Sequence, residues 1–425
     1  MGAKMTQKSL NLEATQAQLK QNWLLAYMLS FSFLFFPITW GYLFKTGGFL
    51  VRPSDILITL MSVIIFARGK VYAPQHFRLF FVLLIGFIVS LMLSSILNGI
   101  PSASLFKIVF LAQIPLVIHQ VIYETNYQSP TKVFILPLVI FVFLIPELIL
   151  HIYTTISTNS GNLTRMMFLL WNGAFSINPF GPDDLQIRGV SFRNSFAMGM
   201  LALLLYCYAF VSPSKIKFVL LCSFGVILFL AFSRTGWIAL ALFLALVFLK
   251  EVKTGRYMTL FSLVIALMVV VYSASALGNA LVSRINSKVG RIDGYSEALT
   301  VFSNNFFLGD PTARLFDGGL IVHNVPLSIG ANYGILPFLF VSALSGFFLF
   351  WFLRLFVLCL VKRSAVEKIE VAATVAAFVC FIRPHLSASA ENLFSLGEWA
   401  SAGMVLIGIT YISQKSNDRK ARFSI

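Results

Sequence analysis

Apolar runs long enough to cross a lipid bilayer, about 17–25 residues each, follow one another along most of this chain. They leave few architectures open. With 58% of its 425 residues hydrophobic and 11% charged, the chain cannot cover its apolar surface with polar side chains. That excludes an ordinary soluble domain and implies a polytopic membrane protein. Inside lipid, each segment must satisfy its own backbone N–H and C=O groups, so the runs are read as helices. The expected fold is all-α, with about twelve transmembrane helices forming one domain over residues 1–425.

The runs are Trp23–Phe44, Leu50–Ala67, Phe77–Leu97, Ala103–Tyr123, Val133–Thr155 and Ser195–Val211. They continue with Ile216–Phe232, Thr235–Leu249, Tyr257–Ala276, Ile335–Val361, Val371–Ser389 and Leu393–Ile412. The seventh and eighth are separated only by Ser233 and Arg234, and their combined length predicts a hairpin. Short connections on one side carry Lys4, Lys8 and Lys20, then Arg68 and Lys70, Lys215 and Lys217, Lys250 and Lys253, and Lys362 and Lys368. The positive-inside rule places these residues in the cytoplasm and accounts for most of the net charge of +16. Nucleic-acid binding is therefore not needed to explain the basic balance.

Residues 1–22 and 413–425 become cytoplasmic tails, and the first span reads as retained rather than as a cleaved signal. Residues 156–194 and 277–334 become periplasmic loops, the second lying between spans nine and ten. Cys207, Cys222, Cys359 and Cys380 all fall in apolar runs without ligand spacing, so neither a disulfide nor a metal site is expected. No cofactor is expected either.

Several arginines stand on the wrong side of the charge bias. Arg188 and Arg193 flank the start of the sixth span, Arg234 sits between two apolar runs, and Arg284 and Arg291 lie in the large outer loop. A guanidinium near hydrocarbon is costly. Arginines gathered at one membrane face form a site for a large anion, since the guanidinium fork matches phosphate oxygens. At the outer face the available anion is a lipid phosphate or pyrophosphate. His323, the one histidine of the long outer loops, is followed by Asn324 where the loop turns into the next helix. A neutral imidazole there can take a proton from a sugar hydroxyl; Asn324 can orient it or cap the helix.

Four segments carry a family resemblance: RGVSFRN from Arg188, LAFSRTGWIAL from Leu230, GRIDGYSEALTVFSNNFFLG from Gly290 and HNVPLSIGANYGIL from His323. Together they resemble the O-antigen ligase and O-antigen polymerase superfamily of membrane glycosyltransferases. The ligase pattern places nine residues after His-Asn, then Gly, two residues, and Gly, Thr or Tyr. Here Gly334 keeps the spacing and Pro337 stands in the last place.

The resemblance implies a GT-C-like fold and a metal-independent, inverting glycosyltransferase of the bacterial inner membrane. By its motif positions His323 would be the general base, and Arg188, Arg234 and Arg291 the pyrophosphate contacts. Arg193, Arg284, Asn324 and Tyr295 would support them. The donor would be a glycan on undecaprenyl pyrophosphate. A ligase would pass it to lipid A-core, and a polymerase to another lipid-linked repeat unit. A transporter or lipid-linked sugar flippase is the alternative of another class, because twelve spans suit it equally. Its polar site would lie near the midplane, with Asp55, Glu147, Arg354, Arg383 and Glu398 as candidates. These five read as helix–helix pairs or near-interface groups.

Overall fold

The computed structural model describes residues 24–29, 32, 44–46, 49–51, 53–69, 72, 74–98, 103–124, 190–211, 214–230, 234–251, 289–310, 324–362, 365–386 and 396–423. The expected spans at Val133–Thr155 and Tyr257–Ala276, and much of the first, lie outside these residues.

The fold is all-helical, as expected, apart from one short hairpin. Strands β1 (Phe44–Thr46) and β2 (Phe49–Val51) pair antiparallel, with Thr46 opposite Phe49. In the sequence Gly47 and Gly48 stand between them, and a Gly-Gly pair between two apolar pieces is a hairpin signal. The second apolar run therefore enters its helix at Pro53 rather than at Leu50. Proline suits the first helical position, where no N–H is needed.

The remaining regular structure is helical. Residues 24–29, in the first expected span, are helical, and the helices described end to end are, in chain order, α1 (Pro53–Ala67), α2 (Gln75–Leu97), α3 (Ala103–Glu124), α4 (Val190–Phe210), α5 (Lys215–Leu230) and α6 (Arg234–Glu251). It continues with α7 (Val289–Asn304), α8 (Val325–Tyr333), α9 (Ile335–Lys362), α10 (Lys368–Leu386) and α11 (Leu396–Phe423). Helices α5 and α6 are in contact with each other. The C-terminal segment from residue 413 continues α11 as helix.

Among the described residues, α2 and α9 are long and apolar enough to cross a membrane, by length and composition. Only 39% of the most apolar window of each is buried. On α2, Phe80, Leu84, Phe87 and Leu91 face inward, whereas Leu79, Val82, Ile85, Val89 and Ile96 are exposed. The two sets alternate at helical spacing, so both faces are apolar.

The innermost helices are α4, α10 and α11, which touch one another. Small side chains bring them close. A Cβ on Gly397 of α11 would fall on the backbone of Met198 and Gly199 in α4, and one on Gly408 would fall on the Ala373 side chain of α10. Such close approach is how apolar helices gain packing where lipid and side chain are equally apolar. Tyr206 of α4 is wholly buried, and its hydroxyl donates to the carbonyl of Ala400 at 2.8 Å.

The bundle has two chemically distinct ends. At one, Arg68 pairs with Glu124 at 2.8 Å, Lys362 with Glu370, and Lys415 with Glu367 at 2.9 Å. Lys217 Nζ donates to the carbonyls of Tyr208 and Val211, both at 2.7 Å, and so caps the end of α4. His119 of α3 meets Thr410 of α11 at 2.9 Å near this same end. Lys250, in the last turn of α6, lies within electrostatic reach of Lys217 and Glu367. This lysine end gathers the last turns of α1, α3, α4, α6 and α9 and the stretch of α11 from Thr410 to Lys415. The first turns of α4, α6 and α11 and the last turns of α2 and α10 lie at the opposite end.

Candidate functional site

The best-defined structure at that opposite end joins α7, α8 and the start of α9. Segment 277–334 reads as an outer loop from sequence; where it is described it holds two helices. Asn324 explains the second. Its backbone is extended (φ −146°), and its side chain accepts a hydrogen bond from the amide of Leu327 at 3.0 Å. One of the helix's orphan donors is thereby satisfied. Pro326 follows within the first turn. The expectation that Asn324 caps this helix is met.

The chain after α7 is tied to α8 by backbone bonds. The amide of Asp310 donates to Ala331 at 2.7 Å, and that of Ile335 donates to Phe306 at 2.9 Å. Two glycines make this possible. Gly309 has φ +72° and lies against the Asn332–Tyr333 backbone; Gly334 has φ +84° and lies against Phe307. A side chain at either would combine an unfavourable conformation with overlap. Across the junction, Ser94 and Asn98 at the end of α2 both donate to the carbonyl of Leu308, each at 3.0 Å. Tyr295, Val301, Phe302 and Leu327 pack around Ala298 and Ala331 between α7 and α8. The segments beginning at Gly290 and at His323 are thus parts of one folded unit.

Tyr295 is half-buried on α7 and belongs to this packing. Arg291 lies two residues into the same helix. Arg193 lies within the first turn of α4 rather than before it, since that helix already begins at Val190. Arg234 is the first residue of α6. Helix rise places Arg193 and Arg234 at one level. Arg193 precedes the lysine-end residue Tyr208 by fifteen residues, and Arg234 precedes Lys250 by sixteen; either interval is about 22–24 Å along an axis. His323, Arg188 and Arg284 lie outside the described residues, each adjacent to or near a described helix of this end in sequence.

The structure adds polar groups that the motifs do not name. Ser328 and Asn332 follow Asn324 at intervals of four and line up on one face of α8. Both are buried, and Ser328 Oγ and Asn332 Oδ1 have no hydrogen-bond partner among the described residues. Buried polar atoms are costly unless a polar group meets them. Their signal in the sequence is this four-residue period, which is easily lost within an apolar segment. A second addition is the pair Arg383–Glu398, which joins α10 to α11. Among the described residues no group of three or more His, Cys, Asp or Glu side chains could hold a metal ion.

Neither a family model nor a curated protein matches this chain.

Proposed function

We propose that this chain is a multi-pass glycosyltransferase of the bacterial inner membrane, with both termini cytoplasmic and its site at the periplasmic face. It would transfer a glycan from undecaprenyl pyrophosphate to an acceptor hydroxyl. The reading is an O-antigen ligase joining O-antigen to lipid A-core. One observation carries it. The four motif segments lead into or lie on helices at the end of the bundle opposite the lysines, and two of them are bonded into one unit. A lysine-rich cytoplasmic end and an arginine-bearing outer end are what the positive-inside rule and a lipid-pyrophosphate donor together require.

In this mechanism the neutral imidazole of His323 takes the proton of the acceptor hydroxyl. The hydroxyl oxygen then bonds to the anomeric carbon from the side opposite the leaving group, inverting that centre. The bond from the anomeric carbon to the pyrophosphate oxygen breaks, and its electron pair leaves with undecaprenyl pyrophosphate. Arg188, Arg234 and Arg291 take up the charge that develops there, so the step needs no metal. Asn324 fixes the start of α8 directly after the base.

Pro337, where the ligase pattern has Gly, Thr or Tyr, supports a second reading: a polymerase joining lipid-linked repeat units. The test is transfer by purified protein between a lipid-linked donor and either acceptor, with His323→Ala as the control. Transfer by wild type and none by a folded His323→Ala is expected. Full activity in the variant removes the general-base assignment, and transport without transfer favours a flippase. In a deletion strain, long polymer accumulating on the lipid carrier identifies a missing ligase, and single repeat units identify a missing polymerase.

A further inference from the structure

The sharpest break in the apolar interior is the pair formed by Arg383 on α10 and Glu398 in the first turn of α11. Arg383 Nε meets Glu398 Oε1 at 2.6 Å, with the side chains 4% and 2% exposed. The pairs Arg68–Glu124, Lys362–Glu370 and Lys415–Glu367 each keep at least one partner 18% or more exposed. Stability does not account for the arrangement. Removing two charges from water costs more than their attraction reliably returns, and a well-packed apolar pair of similar volume is often as stable or more stable. Nor does helix association require it, because α10 and α11 already meet closely through Gly408 on Ala373. Ionisable groups inside a membrane bundle are expected to mark functional positions.

Its position gives the pair a task. Arg383 lies fifteen residues beyond the lysine-end residue Lys368, about 22 Å along α10. That is the level of Arg193 on α4 and Arg234 on α6. Helix α10 touches α4, α6 and α8, the helices that carry or follow candidate site residues. Gly397, beside Glu398, lies on the backbone of Met198 and Gly199, close after Arg193. The carbonyl of Glu398 also accepts from Cys380 Sγ at 3.6 Å. The ends of α10 and α11 are therefore locked to each other and pressed against the arginine-bearing part of α4.

We propose that Arg383 and Glu398 are a positioning pair of the glycan-transfer site, holding the outer ends of α4 and α6 in register so that their arginines meet the donor pyrophosphate; this rests on the transferase reading above. The pair acts through those helices and does not itself react.

The experiment measures kcat, donor KM and thermal midpoint for wild type and for the double variant Arg383→Met/Glu398→Leu, with an undecaprenyl-pyrophosphate-linked glycan as donor. The expected result is a thermal midpoint at or above that of wild type with kcat lowered about 100-fold, the scale of a site displaced by about 1 Å. An undiminished kcat in the stable double variant overturns the proposal. If the apolar pair does not fold, Arg383→Lys decides, because it keeps the charge and loses the planar fork that fixes the geometry. A folded Arg383→Lys with full kcat overturns the proposal; a folded one with lowered kcat supports it. If neither folds, the pair is a folding element and the proposal falls. Wild type that transfers nothing from any lipid-linked donor sinks the transferase reading instead, while the midpoints still report whether the pair is structural.

Discussion

The lysine end and the arginine end of the bundle use charge differently. At the lysine end the cations close the structure: Lys217 caps α4, Lys362 and Lys415 pair with the carboxylates that open α10, and Arg68 ties α1 to α3. At the other end, the buried Arg383–Glu398 pair joins α10 to α11, and neutral side chains hold the connections around α7 and α8. Ser94 and Asn98 secure the chain after α7, and Asn324 caps α8. The side chains match the tasks. Lysine is a compact charge on a flexible stem, suited to a helix end, whereas arginine presents a planar fork suited to phosphate oxygens. The contrast teaches that several cations fasten one end, whereas at the other one buried ion pair fastens and, in the function proposed, the motif arginines serve a ligand. Changes at the lysine end should therefore move stability, and changes in the arginines should move transfer.

The largest expected effect tests the second half of that statement. Arg234→Ala and Arg291→Ala should each lower kcat/KM for the lipid-linked donor by about 100-fold, as loss of one preorganised contact to a developing charge does. Arg314→Ala, in the same outer segment but outside the motifs, should stay within about threefold of wild type. Equal, negligible effects from all three would remove the pyrophosphate site and leave the two ends different in residue type alone.

The next effect tests the first half. Lys217→Met keeps the apolar stem of a buried side chain and strips the donor from two carbonyls. Leaving them unmet should cost about 1–3 kcal/mol, read as a lower thermal midpoint, with kcat at saturating donor unchanged. A loss of transfer without a loss of stability would break the division between the ends.

Asn324→Ala gives a smaller effect at the site end. Removing this cap should cost about 1 kcal/mol, and Asn324→Ser should restore most of it. If the cap also holds the preceding residue in place, kcat should fall in the alanine variant and recover with serine. A kcat that stays low in a fully stable serine variant would show that the amide itself has a role in the chemistry.

How much of this was legible in the sequence depended on how far apart the interacting residues lie. Helices α2 and α9 are plain in the sequence because each is a continuous apolar run of membrane-spanning length. The cap at Asn324 is nearly as plain, since it acts within three residues. Helix α7 is hidden in a polar segment, and what marks it in the structure is its packing on α8. The hairpin β1–β2 was missed because its strands are short apolar pieces at the edges of predicted spans. The link from Ser94 and Asn98 to Leu308 joins residues more than 200 positions apart, and nothing local announces it. Arg383 and Glu398 are conspicuous as charges in apolar runs, but their pairing depends on how α10 and α11 cross. Arg193 and Arg234 come to one level only because their helices end among the same lysines.

The smallest effect is also the most specific to pH. Lys415 Nζ donates to Glu367 Oε1 at 2.9 Å, between the tail of α11 and the turn before α10. That bond holds the Glu367 carboxyl below its usual range and raises the Lys415 ammonium above its own. A depressed carboxyl stabilises the fold fully above its unfolded pKa, about 4.3, and loses the contribution as pH falls through the lower folded value. A raised ammonium contributes fully below about 10.4 and loses its share as pH rises through the higher folded value. The pair is therefore intact from about pH 5 to pH 10. Both side chains are more than a third exposed, so screening by water limits the contribution to about 0.2–1 kcal/mol. Lys415→Met should lower the thermal midpoint at pH 7 by about 1–2 °C, with transfer unchanged. Lys250 and Lys362 also act on the same carboxyl and lower it further, so part of the depression survives in the variant. At pH 3 the difference from wild type should shrink as Glu367 takes up its proton. A difference of the same size at pH 3 and pH 7 would mean that Lys415 works through its ammonium over the Tyr411 ring rather than through Glu367.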